Sequence, residues 1–249
     1  MVNIILPNGD KINYRDIVED NPSDLFFLKN LNKFAPYTMT IKRGIEPLYS
    51  LYKAIEYIVK NKIPGDFVEC GVWQGGSVML MALVLEHMGD TSRKIYLYDT
   101  FEGMTKPEKM DVDWDGRELE KKWDKEKEKN GDLKWGYGGT VEDVKQIVFK
   151  SNYPKENFVF VKGDVENTIP KTMPLNIALL RLDTDWYAST YHELVHLYPK
   201  ISSGGVLIID DYGWCRGARE ATDKYIRENN LNLFLSRVDE SVRIAIKRS

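Results

Sequence analysis

Ile177-Ala178-Leu179-Leu180-Arg181-Leu182-Asp183-Thr184-Asp185-Trp186 is a strand-like run that stops on two acids. A second run, Val206-Leu207-Ile208-Ile209-Asp210-Asp211, stops on an Asp pair. Short, mostly apolar runs of this kind read as strands buried on both faces of a parallel sheet. Both acid clusters then sit at carboxyl ends of strands, the edge at which open α/β sheets bind ligands. A single Asp after a strand is often only the N-cap of the next helix. Two acid clusters at successive strand ends fit that reading badly, because four converging carboxylates repel one another unless something positive lies among them. A hard, oxygen-preferring divalent cation meets that need.

Outward from these runs, strands and helices alternate. Phe67-Val68-Glu69-Cys70-Gly71, Lys94 to Asp99 and Phe158 to Lys162 read as further strands. The helical spacing of Leu48, Leu51, Tyr52, Ile55 and Ile58 predicts a helix over 45–59, ended by Pro64-Gly65. Ser77 to Met88, Ser189 to Tyr198 and Gly217 to Arg227 read as helices. The chain closes with Leu231 to Val238 and Ser241 to Lys247, two strands too close together for a crossover, so one of them runs antiparallel. The expected fold is α/β, a Rossmann-like, mostly parallel seven-stranded sheet with helices on both faces and an antiparallel last pair.

Residues 1–44 read as an N-terminal extension, in which Ile4 to Ile12 with its Asn8-Gly9 turn suggests a small hairpin. Residues 45–249 read as one domain carrying an insertion at 103–140. That insertion is charged, holds Trp114, Trp123 and Trp135, and includes a run from Lys121 to Asn130 that reads in part as an exposed helix. A connection this long marks a lid or a binding segment, drawn from the mobile parts of a fold. Its tryptophans suit either an acceptor ring or the packing of the lid itself.

At 249 residues and 43% hydrophobic, the chain can bury a substantial core. A formal net charge of −3 argues against nucleic acid as a partner. Two cysteines, Cys70 and Cys215, are too few for a disulfide framework and fit a reducing compartment. There is no basic signal-peptide region, and no stretch reaches the roughly 18 apolar residues of a membrane span. A cytoplasmic protein without a membrane partner is expected, with homo-oligomerisation left open.

Glu69-Cys70-Gly71-Val72-Trp73-Gln74-Gly75-Gly76-Ser77 joins the first core strand to its helix. Gly71 and Gly75 allow a tight turn and a close ligand, and a helix starting near Ser77 presents free N–H groups. The spacing is G-x-x-x-G-G, unlike the G-x-G-x-x-G of a dinucleotide site. Asp99, ending the next strand, can accept two adjacent ribose hydroxyls. An ordinary strand–turn–helix explains the loop alone equally well. With Gly163-Asp164 ending the third strand, however, the ordered set resembles a class I S-adenosylmethionine (SAM) methyltransferase.

The wording resembles one branch more closely. The segments from Asp66 to Gly76, Tyr98-Asp99-Thr100-Phe101-Glu102-Gly103 and Leu180 to Tyr187 are similar to the macrocin O-methyltransferase (TylF/MycF/NovP-type) family. So are Leu197-Tyr198-Pro199-Lys200 and Ile209-Asp210-Asp211-Tyr212-Gly213. The likeness runs from about Tyr37 to Glu228, and the family methylates sugar hydroxyls of natural products with SAM and a divalent metal, usually Mg²⁺. It implies that Glu69, Gly71, Gly75 and Ser77 of the loop, Asp99, Thr100, Asp164 and Asp183 bind SAM, with Thr38 and Met39 closing over it. It further implies Asp183, Asp210 and Asp211 as metal ligands and Asp185 as general base. The expected acceptor is a small sugar or glycoside, whether free, nucleotide-linked or part of a glycan. The long insertion and the first 35 residues depart from the family pattern, so the acceptor does not carry over.

Two rivals stand beside this reading. One is a catechol-type O-methyltransferase acting on a small phenol, and the other a SAM-binding protein without turnover, which gains nothing from clustered carboxylates. His192 and His196 share a helical face but no H-E-x-x-H pattern, so they read as ordinary surface or core residues.

Overall fold

The computed structural model describes residues 24–125 and 135–248 in full, and residues 3–5, 11–13 and 126–130 by their backbone. Strands β1 (Asn3–Ile5) and β2 (Lys11–Asn13) pair antiparallel in a two-stranded sheet of their own. The hairpin reading fits that pairing, while the Asn8-Gly9 turn lies outside the described residues.

Helix α1 (Asp24–Phe34) follows, then two short 3₁₀ turns over Ala35–Tyr37 and Thr40–Arg43, and helix α2 (Glu46–Lys60). From β3 (Asp66–Cys70) the chain alternates: α3 (Gly76–His87), β4 (Ile95–Asp99), α4 (Leu119–Asn130), α5 (Val141–Val148) and β5 (Phe158–Lys162). Then come α6 (Val165–Thr168), β6 (Ile177–Leu182), α7 (Tyr187–Leu197), β7 (Ile201–Ile209), α8 (Arg216–Glu228), β8 (Ser236–Arg237) and β9 (Arg243–Ile246). The main sheet has seven strands in the order β5-β4-β3-β6-β7-β9-β8. The first five run parallel, and β9 pairs antiparallel with both β7 and β8, so the expected architecture is the observed one.

Register decides where chemistry can gather. Cys70 lies beside Leu182, and Leu182 beside Ile209. The residues that follow, Gly71, Asp183 and Asp210, therefore leave the sheet at one level. The ladder continues a step past the strands, with Asp183 N donating to Cys70 O at 2.8 Å and Asp210 N to Leu182 O at 2.9 Å.

Helix α3 is buried along Gly76–Leu85, an apolar sequence on all sides that suits a helix enclosed by other elements. It packs against α1, α2 and α5. Phe27, Leu31 and Phe34 of α1 are fully buried in the same cluster as Leu51, Ile55 and Ile58 of α2. Their spacing is helical, and it ties the chain from Asp24 onward into the main core. Helix α5 starts with a capping box in which Thr140 Oγ1 accepts from Asp143 N at 3.2 Å and Asp143 Oδ2 accepts from Thr140 N at 2.9 Å. Thr140→Ala should lower unfolding stability by about 1 kcal/mol. An unshifted denaturation midpoint would show that the cap contributes nothing.

The insertion is stitched to the sheet rim along its outgoing limb. Asp111, 1% exposed, accepts from Tyr187 N and Glu108 N, each at 2.8 Å. Thr105 O accepts from Trp186 Nε1 at 3.0 Å, and Val112 O from Arg216 N at 2.9 Å. The first limb of the insertion is thus hydrogen-bonded to the N-termini of α7 and α8. The run after Glu118 forms helix α4, as its sequence suggested.

Candidate active site

A cleft of about 460 Å³ opens over the carboxyl ends of the parallel strands. Thr38 and Met39 line it, with Gly71, Ser77, Asp99, Thr100 and Asp164. Asp183, Asp185, Asp210 and Asp211 line it too. Met104, Lys122 and Trp135 of the insertion, and Trp73 and Trp214, complete its wall. The structure thus brings the residues singled out in the sequence to one cavity, apart from Glu69 and Gly75, which are not on its wall.

Gly75 owes its place to packing. A Cβ there would come 2.9 Å from Val144 Cγ1 and 3.0 Å from Val148 Cγ1, and its φ of +88° favours glycine. Gly71, at φ +82°, lets two strand ends meet, since its Cβ would fall 1.8 Å from the Asp183 carbonyl oxygen. Asp99 has partners that the sequence did not suggest. Its Oδ2 accepts from Val72 N at 2.7 Å and Trp73 N at 3.1 Å, and its Oδ1 from Phe101 N at 2.7 Å. The acid therefore shapes the glycine loop, and Oδ1 is the oxygen left with acceptor capacity to spare.

The positive charge demanded by the acid rim is partly supplied by the chain. Arg181, 2% exposed, lies within β6 and pairs with Glu69, with Asp183 at 2.6 Å, and with Asp210. Its Nη2 also donates to Thr40 Oγ1 at 3.0 Å. Arg43 pairs with Asp210 and, at 3.4 Å, with Asp239. Neither arginine was singled out in the sequence. The signal was present: Arg181 interrupts an apolar run, and Glu69 stands opposite it in register. Burial pushes Asp210 up, but Arg181 and Arg43 outweigh it and hold this carboxyl below the usual range.

The other acids remain short of positive charge. Burial, opposed by Arg181, brings Asp183 to about 6. Burial and then the charges of Asp183 and Asp210 push Asp185 up to about 8. Burial followed by the charge of Asp185 raises Asp211 well above its ordinary value. Asp183, Asp210 and Asp211 each offer one carboxylate oxygen, all within 4.8 Å of one another. Three such oxygens in a charge-poor pocket fit a hard divalent cation. Glu69 Oε2, buried beneath the loop, has no hydrogen-bond partner among the described residues. On the wall itself, Asp99, Thr100 and Asp164 make an acceptor-bearing lining that fits an amino-acid-bearing nucleoside.

The weaker candidates fall elsewhere. His192 Nε2 lies 2.9 Å from Ile169 O, and its ring is 4.4 Å from that of His196, away from the cleft. Trp135 lines the cleft and packs against Trp186, whereas Trp114 is exposed and Trp123 has Lys106 over its ring.

Residues 32–245 match the family model described as macrocin-O-methyltransferase (TylF). The chain is 34% identical over 183 residues to demethyldecarbamoylnovobiocin O-methyltransferase of Streptomyces niveus, covering 73% of this chain and 66% of that one. It is 33% identical over 196 residues to 8-demethyl-8-(2,3-dimethoxy-alpha-L-rhamnosyl)-tetracenomycin-C 4'-O-methyltransferase of Streptomyces olivaceus, covering 79% and 71%. Among solved structures, that of the O-methyltransferase NovP superposes with a TM-score of 0.73 at 26% identity, covering 89% of this chain and 88% of that one.

Proposed function

Given that the chain belongs to the macrocin O-methyltransferase family, we propose that it methylates a sugar hydroxyl on a small natural product, nucleotide sugar or glycan, with Mg²⁺ as its divalent partner. Membership makes it a SAM-dependent O-methyltransferase. The observation that carries the finer reading is the shared cleft, in which the glycine-loop end and the acid cluster face one space. The Streptomyces olivaceus relative is named for methylating a rhamnosyl-bearing compound, which supports a sugar acceptor.

In this reading Thr38, Met39, Gly71, Ser77, Asp99, Thr100 and Asp164 hold SAM, with Glu69 beneath the loop. Gly75 acts from outside the wall by seating α5. Asp183, Asp210 and Asp211 hold the cation. When bound there, a divalent ion lowers the cost of deprotonating an alcohol and fixes the direction of its oxygen. Asp185 takes the proton from the acceptor hydroxyl as that oxygen attacks the methyl carbon and the methyl–sulfur bond breaks, its electron pair staying on sulfur in S-adenosylhomocysteine. The walls exclude water and align the hydroxyl with the methyl group, and alignment of this kind reaches effective molarities of about 10⁵ M or more.

No helix among the described residues is long and apolar enough to cross a membrane, and Cys70 and Cys215 are buried free thiols. Both fit a cytoplasmic enzyme acting on small molecules. The acceptor class is tested with a panel of deoxysugar glycosides and nucleotide sugars against vicinal phenols, read as S-adenosylhomocysteine release. Methylation confined to the sugars supports the proposal. Turnover of catechols alone would replace it with the phenol reading.

A further inference from the structure

Glu193 lies on α7 behind the acid rim and is 0% exposed. No cation pairs with it among the described residues. Burial pushes its carboxyl well above the ordinary range. Its Oε1 and Oε2 lie 3.0 and 3.2 Å from Thr184 Oγ1, and it also shares a hydrogen bond with the Cys70 thiol. A buried polar group of this kind costs free energy that an apolar side chain of similar size would not. The residue it grips stands between Asp183 and Asp185.

The backbone there is unusual. Asp185 has φ +65°, the left-handed region that non-glycine residues seldom occupy. Such a conformation persists only when its surroundings over-determine it. Upstream, Asp183 N is tied to Cys70 O, and downstream, Trp186 N donates to Thr184 O at 2.8 Å. Ser189 Oγ also donates to Thr184 O, at 3.4 Å, and the Thr184 side chain is a further tie, which Glu193 holds.

We propose that Glu193 is a positioning residue, which through Thr184 fixes the backbone that aims Asp185 at the acceptor hydroxyl. The proposal rests on Asp185 being the proton acceptor. Glu193 touches neither cofactor nor acceptor and acts only through Thr184.

Glu193→Leu and Thr184→Val break the contact from either side, while Glu193→Gln and Thr184→Ser keep a hydrogen-bonding partner in place. Both disruptive variants should lower kcat by about tenfold or more, because small misplacements of reacting groups are expensive. KM and SAM affinity should stay near those of the parent, and the melting temperature of Glu193→Leu should not fall. The conservative variants should recover kcat to within about threefold, and the double variant should be no slower than the worse single one, as for residues acting as a unit. Unchanged kcat in both disruptive variants would overturn the proposal, as would losses that follow melting temperature without conservative recovery. If Glu193→Leu does not fold, Thr184→Val with Thr184→Ser decides alone. Asp185→Asn measured alongside separates the two readings: an active Asp185→Asn removes the base assignment, whereas an inactive one beside active Glu193 and Thr184 variants removes only the positioning role.

Discussion

Exhaustive chelation is expected to abolish methyl transfer, and added Mg²⁺ to restore it, with SAM binding largely intact throughout. Asp211→Asn is the cleanest single substitution for this test. Both oxygens of Asp210 are engaged by the guanidiniums of Arg43 and Arg181. Replacing Asp210 would strand buried positive charge and cost about 3–5 kcal/mol of stability, so a loss of activity there would be ambiguous. Asp183 is likewise tied to Arg181. Asp211 is buried and crowded by Asp185, Asp183 and Asp210 instead, an environment that favours a neutral side chain. The Asp211→Asn variant should therefore fold well. Its Mn²⁺ or Mg²⁺ affinity, measured by titration calorimetry, should fall by more than the roughly 10–100-fold typical of losing an outer-shell partner. Full turnover after complete metal removal would eliminate the cation from the reaction.

The sheet was legible because buried parallel strands announce themselves. Ile177–Leu182 and Phe158–Lys162 were read with the bounds that the structure gives them, and the last two strands were too close for anything but an antiparallel pairing. The rim could be placed because Asp183 and Asp210 leave adjacent strands at one register. Individual roles were harder to read, since a residue type does not state its partner. The glycines at 71 and 75 were read as allowing a tight turn and a close ligand; a Cβ would meet the Asp183 carbonyl at Gly71, which lines the cleft, and two valines at Gly75, which does not. Asp99 was read as a ribose acceptor, and its carboxylate also braces the loop amides. These contacts depend on α5 and on the strand ends arriving from distant sequence. Helix α1 was not legible although Phe27, Leu31 and Phe34 carry its period, because Asn30 and Asn32 dilute the helical signal. Arg181 was not legible as a partner of the acids. Within a family-like motif it passed as part of the wording, and its meaning emerges only beside Glu69 and Asp210.

Arg43 and Arg181 supply part of the positive charge that the acid rim needs. Clustered carboxylates demand compensation, and ion pairs meet it twice at Asp210 and once at Asp183, while Arg43 acts on Asp185 and Asp211 only at a distance. The rim is therefore graded: a side fixed by internal ion pairs, and a side where charge is still wanting. Structural acids and reactive acids are separated by who neutralises them, and the two poorest in positive charge are those where a cation and a transferred proton would be received.

Asp185→Asn should cut kcat by about 10²-fold or more, the range of general-base losses. The substitution is well matched to the site. Asn tolerates the left-handed backbone that Asp185 occupies at φ +65°, so the loop should keep its shape. Asp185→Ala would add a conformational penalty and confuse the result. The amide retains the size and a hydrogen-bonding oxygen but cannot accept and keep a proton. SAM and metal affinities should change little, because Asp185 stands outside the set of three oxygens that lie within 4.8 Å of one another. Raising the pH should recover part of the lost rate, since solvent hydroxide then takes over the proton that the side chain no longer accepts. Turnover within a few-fold of the parent would show that the proton leaves by another route. Should Asp185→Asn instead lose metal and regain full turnover at saturating Mg²⁺, Asp185 would be a ligand, and Asp183 would become the better choice for the base.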